Sequence, residues 1–231
     1  AIDYARWVVS IELNAANDNP LVFLDEETGE ADIISAGNFH GEPIAVAMDS
    51  MKLSVTDMGN MSERRTARLV DADCNGGVLP MFLTTQGGLE SGLMIVQYTA
   101  AALASENKVL SHPASTDTIP SSANTEDHVS MGATAVHHTE LVLNHTETIV
   151  AIELLTAAQG IDFRCRTMGL NPSDMGEGTR AVYELVRKSV PFLEHDVPLA
   201  PYIEMVRSLV YSGEVVASIN SVVDLSRVTL D

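Results

Sequence analysis

Apolar residues recur at helical spacing almost from the first position: Ile2, Ala5, Val8, Val9 and Leu13 fall on one face. A turn cluster from Asn14 to Pro20 ends that helix. Leu21 to Leu24 and Asp32 to Ser35 then flank the polar Glu26 to Glu30 as the strands of a small hairpin. From Pro43, well placed in a first helical turn, Ile44, Ala47, Met48, Met51 and Val55 resume helical spacing, and a second helix is predicted through Arg64 to Val70. A glycine-rich loop from Asn75 to Gly88 leads to an alanine-rich helix over about Ser91 to Leu110. The dominant helix is predicted from about Asn124 to Phe163, a stretch without proline, with a length of roughly 50 Å. Its second half, Ile149 to Leu155, is apolar almost all round, as the centre of a bundle requires; its first half carries His137, His138, Glu140 and His145. Gly169, Pro172, Gly176 and Gly178 mark a linker before shorter amphipathic helices around Arg180 to Val190 and Tyr202 to Tyr211. The pattern therefore predicts a mainly α fold, an elongated helical bundle with long central helices and one small β-hairpin near the N-terminus.

Composition narrows the partners. The chain has 231 residues, 45% of them hydrophobic, enough to bury a core. With 13 Lys+Arg against 32 Asp+Glu, the net charge of −19 disfavours nucleic acid and anionic membrane surfaces, which need clustered cations. No uninterrupted apolar run suffices to span a bilayer: Gln97 and Thr99 break Leu93 to Ala104, and Glu153 and Gln159 break Ile149 to Ile161. A soluble protein is expected. Cys74 and Cys165 are too few and too far apart for a disulfide framework, which points to a reducing, cytoplasmic setting. The chain opens at Ala1 already in a helical pattern, with no Met, and reads as starting inside a fold.

The segment richest in candidate chemistry is Pro120 to Gly132, P-S-S-A-N-T-E-D-H-V-S-M-G. Taken alone, Glu126 and Asp127 read as first-turn acids favoured by a helix dipole, with Asn124 and Asp127 as an N-cap pair. His137, His138 and His145 can share a helical face, but a zinc site would need further ligands, so a solvated helix is the preferred reading and no metal is expected. Arg64 and Arg65 suit ion pairs better than an anion site. Gly176-Glu177-Gly178 has neither a preceding strand nor a following Gly-Lys and is a linker rather than a phosphate loop.

The Ser122 to Gly132 segment closely resembles the corresponding stretch of the aromatic amino acid lyase family, most of all its histidine ammonia-lyases. Four further stretches resemble the family in the same order: Leu13-Asn14 with Asp18-Asn19-Pro20, Gly37 to Gly41, Ser62 to Arg65, and Ser105 to Lys108 through His112-Pro113. The likeness continues to about Arg164 and is weak from Thr167 on. It implies residues 1–166 as the C-terminal portion of a helical-bundle lyase core of the aspartase/fumarase-like superfamily, and 167–231 as a helical extension. It also implies non-oxidative elimination of ammonia from L-histidine to give urocanate. The family's electrophile, 4-methylidene-imidazol-5-one, is cyclised from an Ala-Ser-Gly tripeptide. No such triplet occurs here. The electrophile, the tyrosine base and the carboxylate-binding arginine would belong to a missing N-terminal segment, without which the chain is expected to be inactive. Sites in this family form where subunits meet, so a homotetramer is implied.

By the same resemblance Glu126 is a catalytic or substrate-holding carboxylate, leaving Asp127 as the cap, and partial desolvation would strengthen its hold on an imidazole or amino group. Phe39 lines the substrate site, and Met94 faces the substrate side chain, a position where phenylalanine-specific plant enzymes tend to carry lysine. Thr125 stands where glutamine is usual, Leu93 where phenylalanine is usual and Met81 where proline is usual. Two alternatives remain: a phenylalanine or tyrosine lyase or aminomutase on the same scaffold, and a non-catalytic assembly fragment.

Overall fold

The computed structural model describes residues 1–225. Residues 226–231 of the predicted extension lie outside the described residues. In chain order the elements are α1 (Ile2–Leu13), β1 (Leu21–Leu24), β2 (Ala31–Ile34), α2 (Glu42–Val70), α3 (Met94–Leu110), α4 (Gly132–Met168), α5 (Glu177–Ser189), α6 (Ala200–Tyr211) and α7 (Glu214–Asn220). The hairpin is antiparallel, with Leu21 opposite Ile34 and Leu24 opposite Ala31. Its turn is closed by the Asp25 carboxylate, which accepts from the backbone N–H groups of Glu27 (2.8 Å) and Thr28 (3.2 Å).

Two predicted boundaries move. The helix expected to start near Asn124 begins at Gly132 instead. Ser122, Ala123 and Asn124 have φ of 51°, 57° and 68°, a left-handed conformation that a right-handed helix cannot contain. Ser121 and Glu126 exchange backbone hydrogen bonds across that turn, so neither Glu126 nor Asp127 lies in the first turn of a helix, and the Asn124–Asp127 N-cap pair does not exist. At its other end α4 passes Phe163, and Leu170 N–H closes onto the Cys165 carbonyl across left-handed Gly169 (φ 66°). The second change is in α2, one continuous helix of 29 residues rather than two. Gly59 sits where Thr146 of α4 approaches closely: a Cβ there would lie 3.2 Å from the Thr146 hydroxyl. The seven-residue α7, after left-handed Gly213, had no sequence expectation.

The chain divides into two compact units, one of Ala1–Thr56 with Asn107–Leu143, the other of Asp57–Glu106 with the chain from Asn144 onward. The first unit packs Ala5 and Val8 of α1, Ala45, Ala47 and Met48 of α2, Ala114, and Ala135 of α4. In the second, Ile149, Ile152 and Leu155 of α4 meet Val96 and Ala100 of α3, with Val186 of α5, Val190 just after it and Val206 of α6. One stretch of α4 reaches the length and mean hydropathy of a membrane span, 44% of it buried within the protein. Burial of Ile149, Ile152 and Leu155 is what the all-round apolar pattern of a bundle's inner helix predicts.

The least hydrocarbon-like part of the first unit lies at its centre. Lys52 is fully buried and its ammonium sits 2.6 Å from the Asp49 carboxylate, one helical turn back. Lys52 also donates to the His112 carbonyl (3.0 Å), and Asp49 accepts from Ser115 N–H (2.8 Å). Burial pushes the Asp49 carboxyl up, but the hydrogen bonds from Lys52 and Ser115 outweigh it and hold the group below its ordinary 3.8. Its contribution to stability is therefore complete above roughly pH 4 and is lost as pH falls through the lower folded value.

Many apolar side chains face outward, including Tyr4, Trp7 (61% exposed) and Ile11 on α1, Val46 and Leu53 on α2, and Ile95 and Tyr98 (62%) on α3. Contiguous stripes of this kind mark surfaces meant to be covered.

Two outcomes are expected. In the intact protein, Lys52→Met should cost about 3–5 kcal/mol, because it strands a buried carboxylate, whereas the Asp49→Leu, Lys52→Met double variant should recover most of the loss. Denaturant midpoints check this, and strictly additive effects would show the pair to be uncoupled. The 231-residue chain expressed alone should bind a hydrophobic dye and self-associate in light scattering.

Candidate functional site

Phe39 sits on a turn just before α2, and the asparagines of the Asn14 to Pro20 cluster hold that turn. Asn38 Nδ2 donates to the Ala16 carbonyl (2.8 Å) and to Asn17 Oδ1 (3.3 Å). Asn19 Oδ1 accepts from the Ser35 hydroxyl (3.1 Å) and the Ala36 N–H (3.3 Å). Two motifs separated along the chain thus make one local structure, which presents Phe39 with 47% of its surface exposed.

The Glu126 segment is pinned at both ends. At its start Lys52 and Asp49 hold residues 112 to 115, and the Thr56 hydroxyl meets that of Ser111 at 2.5 Å. At its end His40 Nε2 lies 3.0 Å from the His128 carbonyl, and the two imidazoles stack at 4.9 Å with 18° between their planes. His128 Nδ1 meets the Thr118 hydroxyl at 3.0 Å, and that oxygen also accepts from Val129 N–H (3.0 Å). Gly41 and Gly132 bring the backbones together: a Cβ on Gly132 would lie 3.2 Å from the Gly41 carbonyl. The structure so brings the segments of Phe39 and Glu126 together. The Glu126 side chain itself is exposed, and this chain does not supply the desolvation expected of it.

Met94, the third expected site residue, belongs to the second unit, where it opens α3 and is half-buried. The loop before it is tied to the C-terminal segment. Asp196 accepts from the N–H groups of Ser91 (2.7 Å) and Gly92 (2.8 Å), and these hydrogen bonds, Ser91's the stronger, hold its carboxyl below the ordinary range. In return Glu90 accepts from Asp196 N–H (2.6 Å) and meets His195 Nδ1 at 3.2 Å. Behind this lock, Gln159 bonds both backbone groups of Leu193, and Arg187 bridges Asp162 to the carbonyls of Val190 and Pro191. An apolar groove of about 450 Å³ runs beside Gly92, lined by Ile95, Val96, Val197 and Ile203.

Other candidates resolve simply. Arg64 pairs with Glu63, which also accepts from Gln97 (2.8 Å); Arg65 pairs with Glu153, which accepts from the Ser62 hydroxyl (2.6 Å). Both arginines are thus engaged in ion pairs, as their sequence context predicts. Among the described residues no three His, Cys, Asp or Glu side chains gather as a metal site. His138 sits near Lys52; burial first, then the charges of Lys52 and His137, lower its basicity.

Sequence reasoning missed the His40–His128 pair, the Asp49–Lys52 pair and the Asp196 lock. One had a signal: Lys52 interrupts the apolar face of Met48 and Val55 with an acid three residues before it, the spacing of a helical ion pair. The other two join residues far apart in sequence and had none.

A sequence-family profile described as "Aromatic amino acid lyase" matches residues 1–188. A histidine ammonia-lyase of Chloroflexus aurantiacus is 56% identical over 218 residues, covering 94% of this chain and 41% of that protein. The crystal structure of histidine ammonia-lyase from Trypanosoma cruzi superposes with a TM-score of 0.86 at 42% identity, over 100% of this chain and 44% of that one. A tyrosine aminomutase from Streptomyces globisporus gives 0.84 at 39% identity, over 96% of this chain and 40% of that one. The chain spans about two fifths of the length of these relatives.

Gly92 provides a direct test of the Met94 loop. At φ 56° its added Cβ would lie 2.4 Å from the Phe82 carbonyl, the same oxygen that accepts from Leu93 N–H (2.8 Å). Gly92→Ala is expected to cost about 1–3 kcal/mol. Gly87→Ala, where a Cβ meets nothing within 4 Å, should stay within about 0.5 kcal/mol. Chemical denaturation of the intact variants distinguishes the two.

Proposed function

Because the chain belongs to the aromatic amino acid lyase family, we propose that it is part of a histidine ammonia-lyase and forms one wall of that enzyme's active site. The observation that carries the reading is 56% identity to such an enzyme across 94% of the chain, running through the segments of Phe39, Met94 and Glu126. Residues 1–166 are assigned to the lyase core, of the aspartase/fumarase-like kind, and 167–231 to an extension.

The residues present can bind and orient. Glu126, on a loop fixed at both ends, offers carboxylate oxygens to accept a hydrogen bond from the substrate ammonium or imidazole N–H. Phe39 offers an aromatic wall, and Met94 a soft, adaptable thioether surface for the substrate side chain. The electrophile of the family does not fit this chain, which holds no Ala-Ser-Gly triplet to cyclise, and no step is assigned to it here. It belongs in this reading to the rest of the protein, as do the tyrosine base and the carboxylate-binding arginine. The outward apolar stripes are then the contact surfaces of that remainder and of a homotetramer. The two free cysteines accord with a cytoplasmic, reducing setting.

A second reading, tyrosine aminomutase chemistry, is favoured by the 39% identity and close superposition of the Streptomyces globisporus enzyme. Retention of the amino group as a β-amino acid separates it from ammonia release.

With the intact protein and L-histidine, urocanate absorbance is expected to rise, while L-tyrosine and L-phenylalanine remain largely unconverted. Glu126→Ala should lower kcat about 10²-fold or more, and unchanged kinetics would reduce Glu126 to a loop acid. The 231-residue chain alone should give no product.

A further inference from the structure

We propose that His40 is a positioning residue of this site, setting the register of the Glu126 segment against the Phe39 turn through a hydrogen bond from Nε2 to the backbone carbonyl of His128. Its catalytic consequence rests on the lyase reading above.

The ring's two nitrogens identify the tautomer. The N–H of Glu42 points at Nδ1 from 3.3 Å, and only a lone pair can answer an N–H. The proton of a neutral ring is therefore on Nε2, where the His128 carbonyl, 3.0 Å away, requires a donor. Both contacts demand the same tautomer, and the opposite one would satisfy neither.

The ring is only partly buried, so it adds little to the core. What it contributes is registration. Phe39 precedes His40 directly, and Glu126 lies two residues before His128. One side-chain-to-backbone hydrogen bond therefore links the two site segments within two residues of each candidate site residue. The stacked rings at 4.9 Å limit sliding along the bond. Close backbone approach limits it from the other side: a Cβ on Gly41 would lie 3.1 Å from the Ser130 hydroxyl. The Thr118 hydroxyl, engaged by both His128 Nδ1 and Val129 N–H, keeps the receiving carbonyl from turning away. The loop between has three consecutive left-handed residues, Ser122 to Asn124, a conformation that persists only where its surroundings hold it. A displacement of about 1 Å at a reacting group is enough to cost about 10²-fold in rate.

The test uses the intact protein and three variants. His40→Phe keeps a ring but neither hydrogen bond, His40→Asn keeps an amide too short to reach His128, and His40→Gln returns an N–H donor near the Nε2 position. With L-histidine, His40→Phe and His40→Asn are expected to lower kcat about tenfold or more, with KM and thermal midpoint little changed, while His40→Gln recovers most of the rate. Hydrogen exchange read by mass spectrometry should quicken across residues 118–131 in His40→Phe and not in His40→Gln. Wild-type kcat and exchange in His40→Phe would overturn the proposal. So would a His40→Gln protein as impaired as His40→Phe, or a loss of rate that merely follows a fall in thermal midpoint. If the wild-type protein converts neither L-histidine nor other aromatic amino acids, the lyase reading fails, and the exchange comparison alone decides whether His40 holds the loop.

Discussion

A loop with little buried apolar surface has one shape only when other elements impose it. Between Ser111 and Met131 nearly every side chain from Thr116 to His128 is exposed, so packing cannot hold the segment. Its start is fixed by a charge pair inside α2, where Lys52 and Asp49 reach out to the His112 carbonyl and the Ser115 N–H. Its end is fixed by His40 on the His128 carbonyl and by Gly41 against Ser130 and Gly132. The cost of burying a lysine and an aspartate is offset by using their remaining hydrogen-bonding capacity on the loop's backbone. Everything proposed for Glu126 depends on this arrangement, because an exposed carboxylate on an untethered loop has no defined direction.

The second unit solves the same problem differently. Its loop before α3 carries left-handed Phe82 and Leu83 and the close approach of Gly92 to the Phe82 carbonyl. There the tether comes from the C-terminal segment, with Asp196 on the Ser91 and Gly92 N–H groups just before α3 and Glu90 answering from the loop. Gln159 and Arg187 hold the tether itself onto α4 and α5. The segment that follows the end of the family-profile match at residue 188 thus has a definite structural task, fixing the start of the helix that presents Met94. Met94 and the loop of Glu126 are consequently supported by separate hydrogen-bond systems, each internal to its own unit.

The outward apolar stripes of α1, α2 and α3 and the exposed Glu126 fit together with a chain that spans about two fifths of its relatives' length. A site built from several segments leaves each one with groups that make sense only in company. On the reading proposed above, this aromatic and aliphatic surface is what the rest of the protein would cover.

Local signals placed α1, the body of α3, α5 and α6 to within a few residues, because helix-forming stretches there end at turn residues, and the polar run Glu26 to Glu30 placed the hairpin that flanks it. It also singled out Ile149 to Leu155 as a buried helix centre, for an all-round apolar surface has no other stable environment in water. The collinear motifs identified Phe39, Met94 and Glu126 as candidates, but only as positions on a string. Where α4 begins was not legible: nothing local in Ser122-Ala123-Asn124 forbids a helix, and the left-handed turn there belongs to a loop held by contacts from far along the chain. Nor was the continuity of α2 through Gly59, which depends on how closely α4 approaches. Residue type and spacing determined which segments are helical and which stretch of α4 is buried, since those follow from short-range sterics and burial, while the family resemblance alone named Phe39, Met94 and Glu126 as candidates for chemistry. The direction in which that chemistry points was decided by tertiary structure, because the Lys52, His40 and Asp196 hydrogen bonds join residues that only folding brings together.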